Sequence, residues 1–81
     1  MIEDKKTELL TILAEECAEV IVECSKIHRF DNDFSKLEKE LGDLICMIEL
    51  LHEDGHIDES KIDRRIKAKR KKLEKYSNIF K

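Results

Sequence analysis

The stretch LAEECAEVIVECSK, Leu13 to Lys26, decides how this chain must fold. It sets Glu15, Glu16, Glu19 and Glu23 among Ala, Val, Ile and Cys, with no Gly or Pro to interrupt a helix. At about 100° of rotation per residue, Glu16, Glu19 and Glu23 form a stripe at i, i+3 and i+7. Leu9 and Ile12 continue the stripe toward the N-terminus, so it borders the core rather than bulk water. Glu15 points more outward, on the side of Glu8 and Lys26. An acid in apolar surroundings costs stability unless its charge is compensated. The rest of the sequence should therefore supply a cation.

Around this stretch the composition favours helices. The chain has 81 residues, no Pro, only two glycines (Gly42 and Gly55), 5% aromatic and 43% charged residues. Apolar periodicity predicts a first helix from about Lys5 to Ile27, followed by the turn His28 to Asp33. Ser35 and Glu38 have the spacing of a capping box. They open a second helix on which Leu37, Leu41, Leu44, Ile48 and Leu51 recur, ending near Glu53 before Gly55. Asp58 is the expected N-cap of a third helix, from about Glu59 to Tyr76, built on Ile62, Ile66 and Leu73.

The expected fold is all-α. One domain over residues 1–81 forms an antiparallel helical hairpin plus a basic C-terminal helix, and oligomerisation completes a helical bundle. The reason is size: so short a chain buries only part of its surface, and a second copy enlarges the core. On the first helix Leu10, Leu13, Cys17, Val20, Ile21, Cys24 and Ile27 span a broad face, while Ala18 and Val22 lie opposite. The far side calls for a partner, most simply in a homodimer able to pair again into a tetramer.

Cys17, Cys24 and Cys46 lack zinc-ligand spacing with each other and with His28, His52 or His56, and read as small buried thiols. No signal-like or long apolar run occurs, so a cytoplasmic protein that does not cross a membrane is expected. Charge is divided unevenly. Residues 1–60 hold six Lys/Arg against 17 Asp/Glu, and residues 61–81 hold ten against two, for a net charge of −3. The basic helix would suit nucleic-acid phosphates, but the acidic remainder and the lack of stacking aromatics nearby argue against that partner.

On the second helix, ELGD places Glu40 and Asp43 at i and i+3. Antiparallel neighbours bring this pair opposite the acids of the first helix. Oxygen-only ligands of this kind select a hard divalent cation, Mg²⁺ or Mn²⁺. No nucleophile–base pair and no Gly-rich phosphate loop can be assembled from the sequence.

EECAE (Glu15–Glu19) and, after 20 intervening residues, ELGD (Glu40–Asp43) resemble the E-E-x-x-E…E-x-x-D signature of the MazG-like all-α nucleoside triphosphate pyrophosphohydrolases. SKIHRF, KLEKELGDLICMIELL and RIKAKRKKLEKYS extend the likeness to the small phage and bacterial members over roughly residues 8–80. The resemblance implies Mg²⁺-dependent hydrolysis of a nucleoside triphosphate between the α and β phosphates, in the cytoplasm of a bacterium or of a phage-infected cell. It implies Glu16, Glu19, Glu40 and Asp43 as metal ligands and Glu15 as a residue that either supports those ligands from behind or orients the attacking water. At the end of the chain Lys72 and Ser77 stand where the family often has Asn and Pro. Phosphoribosyl-ATP and dUTP hydrolases are related, so the substrate stays open.

Phosphate contacts are expected from Lys26 and Arg29 at the end of the first helix and from Lys72 and Lys75 on the third. The alternative to catalysis is a helical interaction module whose acidic and basic faces serve oligomerisation.

Overall fold

The computed structural model describes residues 4–81, which form three α-helices and, among the described residues, no strand. They are α1, Lys5–Phe30, α2, Ser35–Glu53, and α3, Glu59–Tyr76. Each boundary has a local cause. Asp4 caps α1, accepting from the Lys6 N–H at 3.2 Å and the Thr7 hydroxyl at 2.6 Å. α1 runs three residues past the expected Ile27, and His28 and Arg29 in its last turn suit the negative end of the helix dipole. It stops where Asp31 takes a left-handed conformation (φ 53°), its N–H bonded to the Ile27 carbonyl at 2.8 Å.

The expected Ser35–Glu38 capping box does not form. Ser35 is already helical and the N-cap position is Phe34, which has no side-chain cap; Asp33, one residue earlier, accepts from the Ser35 N–H at 3.1 Å and its hydroxyl at 2.6 Å. The Ser35 hydroxyl is thereby spent on the stronger carboxylate acceptor. At the other end Gly55, at φ 78°, turns the chain out of α2. The N–H groups of Gly55 and His56 close onto the carbonyls of His52 and Leu51, a pairing that needs a left-handed residue. Asp58 then caps α3 as expected, accepting from the Ser60 N–H at 2.9 Å.

α1 and α2 pack as an antiparallel hairpin, and α3 leaves it. Leu9, Met47 and Leu51 are the buried apolar residues, with Ile12, Leu13 and Ile57 packed around them. α3 buries no residue; it meets the hairpin at its start, where His52 approaches Glu59 at 3.5 Å. The molecule is flat, 46 × 32 × 16 Å, because no third layer covers the hairpin.

That geometry corrects two expectations. The face of α1 against α2 joins the stripe residues Leu9, Ile12, Glu16 and Glu23 to Leu13, Val20 and Ile27 of the broad apolar face, all buried or half-buried, whereas Leu10 and Ile21 of that broad face and Glu19 of the stripe are exposed. Cys17, Cys24 and Cys46 are exposed rather than buried, since one hairpin has only one inside. The corrected cap has a measurable signature. Asp33→Ala should cost about 1 kcal/mol in urea unfolding, and Ser35→Ala distinctly less; equal losses would return the cap to Ser35.

Candidate metal centre

Seven residues separate Glu16 from Glu23, so both project from α1 toward α2 within about 20° of one another. In the antiparallel pairing Glu16 meets the stretch of α2 that carries Glu40 and Asp43. Carboxylate oxygens of Glu16, Glu40 and Asp43 all lie within 4.8 Å of one another, with Glu16 and Glu40 half-buried and Asp43 exposed. Glu16 Oε2 is buried and has no hydrogen-bond partner. A buried orphan acceptor is costly, and here two further acids face it. Burial, followed by the charges of Asp43, Glu40, Glu19 and Glu15, pushes the Glu16 carboxyl above the ordinary range.

The donor set fits a hard divalent cation, being all oxygen and rich in charge. The carboxylate oxygens of Glu16, Glu40 and Asp43 would hold it. Glu19 is exposed and falls outside the trio, though its charge reaches Glu16. Three residues on from Glu16, it is rotated by about 60° toward the rim of the seam. Glu15 is exposed beside it.

Residues 4–77 match the MazG nucleotide pyrophosphohydrolase domain. The chain belongs to that family. Comparison with curated proteins and with solved structures returns no match. In this MazG domain the acids of the two signature halves meet across the hairpin, and nucleotide pyrophosphohydrolysis is the class of activity to which the family assigns it.

The four expected phosphate-binding bases are dispersed. Lys26 Nζ sits 3.6 Å from Glu23 Oε2, and Arg29 lies over the Phe30 ring with its guanidinium 5.0 Å from the centroid. Lys75 lies over Tyr76 at 5.2 Å, and Lys72 is exposed with no ion pair among the described residues. Neither lysine of α3 turns toward the hairpin core, because α3 departs from it. Glu23, a member of the acid stripe that lies outside the signature, faces Lys26 and is 8% exposed. The periodic pattern gave no sign of the network at the opposite end of the hairpin, where Asp54 binds Lys5 at 2.9 Å and His56 at 2.8 Å. Nothing in local spacing joins Lys5 to Asp54; only the antiparallel pairing does.

The raised Glu16 carboxyl has a definite consequence for stability. A folded-state value above the unfolded one means that ionised Glu16 opposes folding at neutral pH, and that the cost disappears once pH falls below the ordinary carboxylate range. Glu16→Gln should therefore raise the melting temperature of the metal-free protein at pH 7 and lose that advantage near pH 3. The same variant should abolish the stabilisation by millimolar Mg²⁺ expected of the native chain. Identical melts for native and variant chains at both pH values, with and without Mg²⁺, would remove the cation from this site.

Proposed function

We propose that this chain hydrolyses a nucleoside triphosphate between the α and β phosphates, giving the monophosphate and pyrophosphate. Mg²⁺ or Mn²⁺ is held by Glu16, Glu40 and Asp43, with Glu19 joining from the rim. The observation that carries this reading is the buried, unpartnered Glu16 Oε2 facing two acids of the opposite helix, in a chain of this family. When bound, the cation neutralises charge on phosphate oxygens and lowers the pKa of water. The chain's own residues supply position. Glu16 and Glu40 are anchored in the seam of two long helices, and Glu15, one residue from Glu16 and open to solvent, orients the attacking water.

A second copy completes the assembly. On the hairpin, Ile21, Val22, Ile45 and Ile48 are exposed at 68, 42, 52 and 36% of their surface, and Ala18 is exposed beside Val22. Patches of this kind mark contact surfaces. Gly42 adds a second argument. A glycine inside a helix costs about 0.5–1 kcal/mol relative to Ala, yet a Cβ there would meet nothing within 4 Å in this chain. Its use is explained if another backbone approaches α2 beside Asp43. α3 has the complementary character, with Ile66 exposed amid nine Lys/Arg between Lys61 and Lys75, against an acidic hairpin. Packed on the hairpin of its partner, α3 delivers Lys72 and Lys75 to phosphate oxygens, while Lys26 and Arg29 border the other end of the groove.

The decisive experiment is release of pyrophosphate from a panel of nucleoside triphosphates with Mg²⁺ and with chelator. Mg²⁺-dependent release that Asp43→Asn abolishes without loss of helicity is expected. Absence of release from every nucleotide would favour the interaction module. Lys72→Ala and Lys75→Ala should each weaken substrate use by about 1–2 kcal/mol, mainly through KM. Light scattering should report a dimer or tetramer at micromolar concentration, and a monomer would remove the partner's α3 from the phosphate site.

A further inference from the structure

Glu23 is the residue of α1 that the reaction does not use, and it is more deeply buried than any of the three clustered acids. It opens onto a pocket of about 300 Å³ lined also by Asn32, Asp33, Ser35 and Lys36, at the turn end of the hairpin. Resting on the proposed triphosphate chemistry, we infer that this pocket seats the nucleobase and that it selects guanine.

Three observations carry the assignment. The first is placement. Glu23 lies seven residues from Glu16 on the same face, about 10 Å along the helix at 1.5 Å per residue. The α-phosphate of a nucleotide and the far edge of its purine are separated by a distance of the same order. A triphosphate anchored at Glu16, Glu40 and Asp43 thus directs its base along the seam toward Glu23.

The second is which polar atoms remain free. Asp33 Oδ1 is taken by the Ser35 N–H and hydroxyl, at 3.1 and 2.6 Å, and this also uses the Ser35 proton. Glu23 Oε2 faces Lys26 at 3.6 Å, a distance beyond a good hydrogen bond, and both Glu23 oxygens retain capacity to accept. Lys36 has no ion pair among the described residues, and the Asn32 amide has no hydrogen-bond partner among them. The open functions are therefore a double acceptor on α1, donors from Asn32 and Lys36, and one further acceptor, Asp33 Oδ2, which no hydrogen bond among the described residues uses.

The third is the match of that pattern to a base edge. Guanine presents N1–H and the 2-amino group as adjacent donors beside the O6 acceptor. A carboxylate accepts the two donors together, and Lys36 or Asn32 donates to O6. Adenine, cytosine and uracil set an acceptor beside their donor, which leaves one carboxylate oxygen facing a lone pair. A buried polar group left unpaired gives strong discrimination, much larger than a change of shape in an apolar pocket. Lys26 offsets the Glu23 charge before the base arrives, so the pocket does not require the ligand in order to fold.

The test compares pyrophosphate release from GTP, ATP, CTP and UTP by the full chain with Mg²⁺. GTP should exceed ATP at least tenfold in kcat/KM. Glu23→Gln, which replaces one acceptor by a donor, should reduce that ratio at least tenfold through KM, while turnover of ATP persists. If Glu23→Gln loses its helical circular dichroism, Lys36→Ala decides instead, with loss of the GTP preference expected. Equal use of the four bases, or a GTP/ATP ratio that neither variant moves, would overturn the assignment. A reading independent of turnover separates this inference from the reaction. Guanosine, and not adenosine, should shift the amide resonances of Glu23, Ser35 and Lys36 in the metal-free protein. Such shifts without hydrolysis of any nucleotide would support the base pocket and overturn the reaction. Absent or equal shifts for the two nucleosides would overturn the pocket.

Discussion

The carboxylate of Glu16, enclosed in the seam between α1 and α2 with one oxygen unpartnered, is the constraint around which this molecule is arranged. An ordinary two-helix hairpin fills its seam with apolar side chains. Here the seam carries Leu9, Ile12 and Leu13 at one end, then Glu16, Val20 and Glu23 toward the turn. Stability and function are thereby separated along the hairpin. The buried apolar residues Leu9, Met47 and Leu51 gather near the open end, reinforced by Ile57 and by the Asp54 pairs with Lys5 and His56. The acids occupy the middle, where neither frayed termini nor the turn can move them. Long uninterrupted helices give the carboxylates a fixed frame, which is what cation binding by three separate side chains requires.

Of the buried or half-buried acids of α1, Glu8, Glu16 and Glu23, the last two stand in opposite electrostatic surroundings. Glu23 carries its own cation, Lys26, one turn further along the helix. Glu16 has none. Its neighbours are Asp43, Glu40, Glu19 and Glu15, which all oppose its ionisation. An acid that faces like charges in a partly buried seam, with no cation of its own, is the place where the proposed cation would act.

The same economy explains the exposed surface. A small chain that spends its seam on acids has few apolar residues left to bury, and the described residues include only three buried apolar ones. Apolar side chains instead face outward on both helices of the hairpin and on α3. The basic α3 and the acidic hairpin are complementary in charge, which is what the proposed pairing of two chains draws on. Opposite charges guide association and fix register more than they add affinity.

The helices themselves were legible in the sequence, since an uninterrupted periodic pattern, the Asp58 cap and Gly55 are local signals. α2 and α3 span the expected residues; the end of α1 moved to the left-handed Asp31, and the start of α2 lost its capping box because the Ser35 hydroxyl turns to Asp33. Glu16 on one face of α1, and Glu40 with Asp43 at i and i+3 on one face of α2, were legible helix by helix, and the short turn between the helices made the two faces neighbours. Local periodicity could not decide which face of α1 turns inward. Both the broad apolar face and the acid stripe satisfy a helical repeat, and the choice depends on what α2 presents opposite. For the same reason Glu19 fell outside the trio while Glu23, outside the signature, became the most buried acid. Pairings between residues far apart in the chain, such as Lys5 with Asp54, also belong to tertiary structure alone. Local spacing sets angles around one helix, whereas distances between helices exist only once the hairpin closes.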